Sequence, residues 1–333
     1  MLKEILSKQD PIKLVQKYLK KELEEVEDLI LSRVAEREEI IKVITDYTLK
    51  AGGKRLRPIL TLLSSKLFDY QGKSHINLAA AIELIHTATI LHDDVVDHSL
   101  TRRGRDTVNQ KWDNKISILV GDFLFSQAFC LMAEEKNTEI LSLLAKTSAI
   151  IAEGEVLQIK SYSNLTLSIS DYLRVIEYKT SELFAAACEV GALIANKGLH
   201  EQQLLRKFGI SLGYAFQMID DLLDYADTSA EFGKEQGTDF KENKVTIPII
   251  LLLQKANELE QKQIAEIFLQ QDKTDQSLKI ILNMLKKYQI FTEIESIVEN
   301  YLNIAKECLD QLPLSDARKH FYSILEFSAK RKY

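Results

Sequence analysis

Apolar residues recur along most of this chain at the three- and four-residue spacing of α-helices. Several segments are apolar on nearly every side, which is typical of helices in the interior of a large protein. We predict such inner helices at 78–91, 116–132, 139–159, 181–195 and 204–225. A further helix is expected over 171–189, with Ser170 or Asp171 as its N-cap.

Few segments interrupt this helical pattern. Polar connections are expected at 52–53, 100–107 and 161–170, and a charged loop at 227–244. A loop as long as the last one usually has a function in a compact helical domain. Neither a linker nor a short repeat divides the chain. We therefore predict an all-α fold, a single large helical bundle over 1–333, with its motifs in about 50–250 and amphipathic peripheral helices in 254–333.

The composition supports this fold class. Of 333 residues, 46% are hydrophobic and 28% are charged, which is enough apolar material for a large core. The sequence has only 4 prolines and 12 glycines, and none of the prolines lies between Pro58 and Pro248. Because all-β folds need frequent turn residues, a sandwich or a barrel is excluded.

The same composition limits the location and the partners of the chain. Uninterrupted apolar runs are far shorter than the roughly 20 residues that cross a bilayer, so we expect no transmembrane segment. The charged beginning has no signal-peptide core. Three widely spaced cysteines indicate reduced thiols, and with them a cytoplasmic protein without a disulfide framework or a zinc site. The net charge of -6 argues against nucleic acid as the main ligand.

Two segments repeat the pattern Asp-Asp-x-x-Asp between apolar residues. The carboxylates are those of Asp93, Asp94 and Asp97, and of Asp220, Asp221 and Asp224. On a helix, residues four apart share a face, so each motif brings repelling carboxylates together. Mg²⁺ relieves this repulsion, and it often lies between carboxylates and the phosphates of a substrate. One such motif alone is most often a solvated acidic helix face; the repetition and the apolar flanks favour a metal site.

Cations that match an anionic substrate lie near these motifs in the sequence. Lys54 and Arg57 fall near a predicted helix start, where free N–H groups favour a phosphate. Other candidates are Arg102 and Arg103 after the first motif, Lys179 and Thr180 within a helix, and Lys234 and Lys244 in the charged loop. Each residue alone is also compatible with an ordinary surface position. The polar side chains His86 and Gln217 lie in apolar helices and are either ligand contacts or satisfied core residues.

The order of these motifs resembles that of trans-polyprenyl diphosphate synthases, most of all the long-chain bacterial octaprenyl type. The matching segments are GGKRLRP (52–58), ELIHTATILHDDVVD (83–97), TRRG (101–104), LVGDFLFSQAF (119–129), AEGEVLQI (152–159), YKTSELFAAA (178–187), GYAFQMIDDLLDY (213–225), FGKEQGTDFKENKVTIP (232–248) and the ending SILEFSAKRKY. The resemblance implies an all-α fold with a central apolar cavity, usually in a homodimer, and a single polyprenyl synthase domain.

The resemblance also implies a reaction and its residues. Isopentenyl diphosphate would be bound by Lys54, Arg57, His86 and Arg103, and an allylic diphosphate such as farnesyl diphosphate by Arg102, Lys179, Thr180, Gln217 and Lys234. Asp93, Asp97 and Asp220 would be the main ligands of three Mg²⁺ per site, completed by Asp94, Asp221 and Asp224. Together with Lys179 and Arg102, these main ligands would be the catalytic residues. One departure is Asn243, where the family commonly has glycine; asparagine tolerates a left-handed backbone, so we expect the turn to persist.

Small residues one helical turn before Asp93 indicate a long product. Ala88 and Thr89 occupy positions near which short-chain relatives have aromatic residues that close the cavity. Phe129, with Phe125 or Met132, would supply a deeper floor. The alternative is that Ala88 only permits close helix packing. We expect a long product between heptaprenyl and decaprenyl diphosphate, with octaprenyl diphosphate favoured. Its expected use is a quinone side chain, and it would pass to the membrane.

Other functions explain less of the sequence. A shorter-chain synthase would share every motif except the small residues before Asp93. A terpene cyclase would need neither the Lys54 and Arg57 site nor two identical aspartate motifs. A non-catalytic partner subunit should have lost aspartates or basic residues, and a purely structural helical protein would explain none of the charges within apolar helices.

Overall fold

The computed structural model describes residues 10–226, 236–270 and 273–330, and most of them are helical. Up to residue 161 the elements are α1 Pro11–Tyr18, α2 Lys20–Val34, α3 Glu39–Lys50, α4 Leu56–Lys66, α5 Ser74–Val96, β1 Thr101–Arg102, β2 Arg105–Asp106, α6 Val108–Lys111, α7 Asn114–Glu134 and α8 Thr138–Ser161. They continue with α9 Ile169–Ile176, the π-helical turn π1 Glu177–Ser181, α10 Glu182–Ile194, α11 Leu199–Asp224, α12 Thr238–Lys241, α13 Ile247–Lys255, α14 Glu258–Leu269, α15 Asp275–Lys287, α16 Ile290–Asp310 and α17 Asp316–Lys330. The predicted all-α fold is confirmed.

Two compact units contain the described residues. Unit 1 comprises those within Met1–Ser148, Leu183–Gly209 and Lys306–Phe327, and unit 2 those within Ala149–Glu182, Ile210–Ala305 and Ser328–Tyr333. One domain over 1–333 stays a prediction.

Helix α5 is the innermost helix of unit 1. Its residues Leu78–Ile85 are all buried, and it packs along both α4 and α7. The contact with α7 is close: a Cβ at Gly121 would lie 2.4 Å from Nε2 of His92. The apolar pattern of 78–91 therefore predicted this helix correctly, although the helix extends to Val96 and includes the start of the first aspartate motif.

One described helix, α7, is long and apolar enough to cross a membrane by length and composition, with a mean hydropathy of 1.8. It contains Asp122, Ser126 and Gln127, so it has no long uninterrupted apolar run. Core helices of globular proteins meet the same criterion, and α7 lies along α5 through its buried face.

Unit 2 contains a π-helical turn where the sequence predicted one continuous helix over 171–189. In π1 the Ser181 hydroxyl donates to the Ile176 carbonyl at 3.3 Å. Two glycines allow helices to approach this turn. A Cβ at Gly154 would lie 2.7 Å from the backbone nitrogen of Lys179, and one at Gly213 would lie 2.5 Å from the Ser181 Cα. Single π turns occur frequently at functional sites.

Two local predictions about unit 2 are corrected. The N-cap of α9 is Ser168, whose hydroxyl oxygen accepts from the Asp171 N–H, and not Ser170 or Asp171. The predicted loop 227–244 contains α12, while 227–235 lie outside the described residues. As expected, Asn243 has a left-handed backbone, with φ of 59°.

We predict that Gly191→Ala destabilises the protein. A Cβ at this position of α10 would lie 2.3 Å from the Ser64 Cβ and 2.7 Å from the Ser64 carbonyl carbon on α4. Such overpacking should lower the free energy of unfolding by about 1–3 kcal/mol, measured by urea denaturation. The control Gly198→Ala meets only the flexible Glu201 carboxylate, at 3.3 Å, and should change little. Equal stabilities of the two variants would contradict this packing.

Candidate active site

The predicted site residues fall into two groups, one in each unit. Unit 1 contains Lys54, Arg57, His86, Ala88, Thr89, Asp93, Asp94, Asp97, Arg102, Arg103 and Phe129. Unit 2 contains Lys179, Thr180, Gln217, Asp220, Asp221, Asp224 and Lys244. Lys234 lies outside the described residues.

In unit 1, a short loop before α4 presents two of the predicted cations. Gly52 and Gly53 have φ of 77° and 152°, so the chain turns sharply before the helix begins at Leu56. The Lys54 ammonium lies 4.4 Å from the centre of the Phe327 ring. The Arg57 guanidinium lies 4.7 Å from the Phe184 ring centre. Aromatic faces favour a cation electrostatically and fix its position.

His86 lies on α5 among arginine side chains. Its Nε2 is 3.0 Å from Nη1 of Arg57, and the neutral imidazole accepts this hydrogen bond. Burial, followed by the charges of Arg57, Arg103, Arg102 and Arg55, lowers the pKa of His86 well below its usual range. A neutral imidazole surrounded by guanidinium groups is a suitable environment for a multiply charged anion, and the resemblance predicts isopentenyl diphosphate at this site.

The β1–β2 hairpin directs two neighbouring arginines to different partners. Its strands pair Thr101 with Asp106 and Arg102 with Arg105. Arg102 Nε donates to Asp94 Oδ1 at 2.8 Å, whereas Arg103 Nη1 donates to the Gly52 carbonyl oxygen. Because Arg103 has φ of 53°, its backbone reverses direction, which separates the two side chains.

The first aspartate motif closes the C-terminal end of α5. The Asp97 N–H donates to the Asp93 carbonyl at 2.8 Å, so these residues are one helical turn apart, as the pattern predicts. Asp94 is only 3% exposed and its carboxylate pairs with Arg102. Burial raises the pKa of Asp94 in spite of this arginine. Asp94 therefore supports the motif through Arg102.

The second aspartate motif ends α11 in unit 2. Both oxygens of the buried Asp221 accept hydrogen bonds, from the Tyr172 hydroxyl at 2.7 Å and from Gln217 Nε2 at 2.8 Å. Burial, followed by Asp239, raises the pKa of Asp221. The carboxylate of Asp224 accepts from the Asp239 N–H at 3.0 Å. Protein hydrogen bonds thus orient the second and third carboxylates of this motif.

Lys179 lies in π1 and pairs with two side chains of α8. Its Nζ donates to Glu155 Oε2 at 2.6 Å and to Gln158 Oε1 at 2.5 Å. Next to it, the Thr180 hydroxyl donates to Gln217 Oε1 at 3.0 Å. Of the predicted allylic diphosphate ligands, Thr180 and Gln217 are therefore hydrogen-bonded to each other, whereas Lys179 is bonded to α8.

A cavity of about 70 Å³ adjoins this group in unit 2. It is lined by polar side chains that include Lys179, Thr180, Gln217, Asp221, Lys244, Gln158 and Thr246. The buried hydroxyl of Thr246 has no hydrogen-bond partner within the described residues. The cavity therefore combines two lysines with donors that suit phosphate oxygens.

Sequence reasoning missed Tyr172, Glu155 and Gln158. The last two carried a usable signal, because they lie in the segment AEGEVLQI (152–159) that matches the resembled family. Tyr172 carried none, since its contact with Asp221 spans 49 positions.

The carboxylates suit a hard divalent cation, because their oxygens are the ligands that Mg²⁺ prefers. Within the described part of the chain, no group of three or more carboxylate, histidine or cysteine side chains could hold a metal ion by itself. Magnesium commonly uses one or two carboxylates and takes further oxygens from phosphates and water. The aspartates fit that mode of binding.

The predicted chain-length residues lie in unit 1. Ala88 is fully buried in α5, and the Thr89 hydroxyl donates to the His86 carbonyl at 2.8 Å. Phe129 is partly exposed on α7, with its ring centre 5.3 Å from that of Phe125.

Comparisons with known proteins identify the family of the chain. Residues 38–285 match the family described as Polyprenyl synthetase. The octaprenyl diphosphate synthase of Haemophilus influenzae is 32% identical over 330 residues, which cover 98% of this chain and 100% of that protein. A decaprenyl diphosphate synthase structure from Rhodobacter capsulatus superposes with a TM-score of 0.92 and 40% identity, covering 96% of this chain and 99% of that one. A polyprenyl synthase from Caulobacter crescentus, in complex with calcium and isoprenyl diphosphate, gives a TM-score of 0.91 at 36% identity, with 96% and 98% coverage.

The helical fold and these similarities define a prenyltransferase of the isoprenoid synthase type. The chain belongs to the polyprenyl synthetase family, and it is a trans-prenyltransferase that makes long-chain polyprenyl diphosphates. The family is magnesium-dependent and uses isopentenyl and allylic diphosphates. The predicted resemblance is thereby confirmed.

We predict that Arg57→Ala and Lys179→Ala affect different substrates. Loss of one charge-assisted contact costs about 1.5–3 kcal/mol, so Arg57→Ala should raise the KM for isopentenyl diphosphate about ten- to a hundredfold. The Lys179→Ala variant should instead raise the KM for the allylic substrate and lower kcat. Steady-state kinetics with each substrate varied in turn measures both effects.

The control for this comparison is Lys319→Ala, which removes a lysine whose side chain is 78% exposed. It should leave both KM values unchanged. If Arg57→Ala and Lys179→Ala each changed the KM values for both substrates equally, the assignment of separate diphosphate sites would be contradicted.

Proposed function

We propose that this enzyme condenses isopentenyl diphosphate head-to-tail onto an allylic diphosphate and releases octaprenyl diphosphate, the precursor of a quinone side chain. The length of the product is supported by the small residues Ala88 and Thr89 before the first motif. It is also supported by similarity to an octaprenyl and a decaprenyl diphosphate synthase.

The observation that carries this proposal is the group of guanidinium side chains around neutral His86 in unit 1. It is a cationic site that is chemically different from the aspartate motifs. A reaction of two diphosphates needs both kinds of site. Lys54, Arg57, His86 and Arg103 bind isopentenyl diphosphate, and Arg102, Lys179, Thr180, Gln217 and Lys234 bind the allylic diphosphate.

Asp93, Asp97 and Asp220 are the metal ligands of this proposal, supported by Asp94, Asp221 and Asp224. Three Mg²⁺, held with the diphosphate, would neutralise the charge that develops on the leaving group. Tyr172 and Gln217 hold the carboxylate of Asp221 and so keep the second motif in one orientation.

The side chains of the protein supply the remaining steps. Lys179 and Arg102 are cationic donors for the departing pyrophosphate, and such preorganised charges stabilise a transition state without reorganising. As the pyrophosphate leaves, the C–O bond breaks and an allylic cation remains. The double bond of isopentenyl diphosphate attacks this cation. A proton then leaves the new chain, and the released pyrophosphate accepts it, because no side chain assigned to the site is suited as the base.

The enzyme acts as a homodimer in the cytoplasm in this proposal, and its product passes to the membrane. Helix α7 supports a second copy as partner, because it exposes apolar side chains: Leu119 is 62% exposed and Ile118 is 42% exposed. A heteromeric enzyme with a non-catalytic subunit is the alternative assembly. The retained aspartate and basic motifs favour a chain that is catalytic by itself.

The direct test incubates the purified chain with farnesyl diphosphate, isopentenyl diphosphate and Mg²⁺, followed by chromatography of the products. Octaprenyl diphosphate is expected. A product that stops at geranylgeranyl diphosphate would favour the shorter-chain alternative, and no product from the chain alone would favour a heteromeric enzyme.

We predict that Ala88→Phe shortens the product to about three or four isoprene units, because the ring would fill space needed by the growing chain. When geranyl diphosphate replaces farnesyl diphosphate as the primer, the first condensations should continue, so consumption of this shorter primer serves as the internal control. A full-length product from this variant would show that Ala88 only serves close packing of α5. The variant Phe129→Ala should lengthen the product if Phe129 forms the floor.

A further inference from the structure

The loop between α3 and α4 has a backbone that its local sequence does not hold by itself. Besides Gly52 and Gly53, Arg55 is left-handed, with φ of 51° and ψ of 36°. A residue with a side chain avoids this region, because its Cβ approaches the following carbonyl oxygen. Arg55 occupies the N-cap position of α4 without making a side-chain capping bond. Contacts from outside the loop must therefore maintain its conformation.

The guanidinium of Arg55 provides such contacts. Its Nη1 donates to Glu83 Oε1 at 2.6 Å, and its Nη2 donates to the Leu49 carbonyl oxygen at 2.7 Å. Leu49 belongs to the last turn of α3, and Glu83 lies in α5. One side chain therefore connects the end of α3, the start of α4 and the middle of α5. Glu83 is only 4% exposed, so water screens this ion pair weakly.

The residues that this pair connects adjoin the predicted diphosphate ligands. Lys54 precedes Arg55 directly, and Arg57 follows it two positions later. His86, the partner of Arg57, lies three residues after Glu83 on the same helix. The Lys54 carbonyl also accepts from Gln16 Nε2 at 3.3 Å, which ties the loop to α1. The position of the ion pair thus sets the positions of Lys54, Arg57 and His86 relative to one another.

We infer that Arg55 and Glu83 are positioning residues for the isopentenyl diphosphate site, which they shape by holding the loop before α4 and the first turn of α4 against α5. This inference rests on the proposed function, in which Lys54, Arg57 and His86 bind that substrate. Arg55 binds no substrate; its guanidinium is oriented by Glu83 and by the end of α3. Removal of either partner should weaken the binding of isopentenyl diphosphate and leave the allylic diphosphate unaffected.

A double-mutant cycle tests this inference, using Arg55→Met, Glu83→Leu and both changes together. Each single variant should raise the KM for isopentenyl diphosphate at least tenfold and change the KM for the allylic substrate less than threefold. The KM of the double variant for isopentenyl diphosphate should not exceed that of the more impaired single variant, because both changes remove the same interaction. The KM of Arg55→Lys for isopentenyl diphosphate should lie between those of the wild type and Arg55→Met, since lysine retains the charge but makes one hydrogen bond in place of two.

Folding is monitored through the melting temperature of each variant. A single change leaves one buried charge without its partner, whereas the double change removes both. The pair borders a cavity of about 230 Å³, which gives the apolar replacements room. If a single variant does not fold, the folded double variant still tests the inference, because its KM for isopentenyl diphosphate should show the same tenfold increase.

The matched control is another Arg–Glu pair of unit 1, whose residues are not among the predicted ligands. Arg33 Nη1 and Nη2 donate to the two carboxylate oxygens of Glu134 at 2.5 and 2.6 Å. Arg33→Met and Glu134→Leu should leave both KM values unchanged.

The inference is overturned if the folded variants keep the KM for isopentenyl diphosphate within twofold of the wild type. It is also overturned if the KM values for both substrates rise equally, or if the KM increases of the two single variants multiply in the double variant. Failure of the proposed function is distinguishable, because the wild-type enzyme and the control variants would then not elongate farnesyl diphosphate with isopentenyl diphosphate.

Discussion

Burying charge inside apolar helices is the constraint on which the rest of this structure depends. An enzyme that binds two diphosphates needs many charges in one apolar interior, and each is costly unless it has a partner. The structure supplies partners for them pairwise: Arg102 with Asp94 in unit 1, and Lys179 with Glu155 in unit 2. These pairs also fix where the charged side chains of each unit lie.

The same constraint explains why the middle carboxylate of each aspartate motif is bound by other side chains of the protein. Asp94 is held by an arginine, while Asp221 is held by a tyrosine and a glutamine. Both carboxylates are buried, and burial raises the pKa of each. These middle residues are held by protein side chains, whereas Asp93, Asp97 and Asp220 are the main metal ligands of the proposal. Identical sequence patterns therefore reach similar chemistry through different supporting contacts.

Much of the fold was predictable because apolar periodicity reports the burial of a helix face directly. The segment 78–91 identified α5, and the repeated aspartates and the cations at 54 and 57 were visible as exceptions to that periodicity. The π turn at Lys179 was not predictable, because it depends on helices that approach over Gly154 and Gly213. Nor was the role of Tyr172, since a contact between residues far apart in sequence leaves no local signal. The pairing of Glu83 with Arg55 was not predictable either, because the two residues are 28 positions apart.

The central claim is that the aspartates bind the allylic diphosphate through Mg²⁺. It is tested most directly by isothermal titration calorimetry with a non-reactive thiolo analogue of farnesyl diphosphate, with Mg²⁺ and with a chelator. The account predicts tight binding by the wild type with Mg²⁺ only, and loss of this magnesium dependence in Asp93→Ala and Asp220→Ala. The exposed Asp316→Ala variant should behave like the wild type. Binding that is equally tight in the chelator, or unchanged in both motif variants, would contradict it.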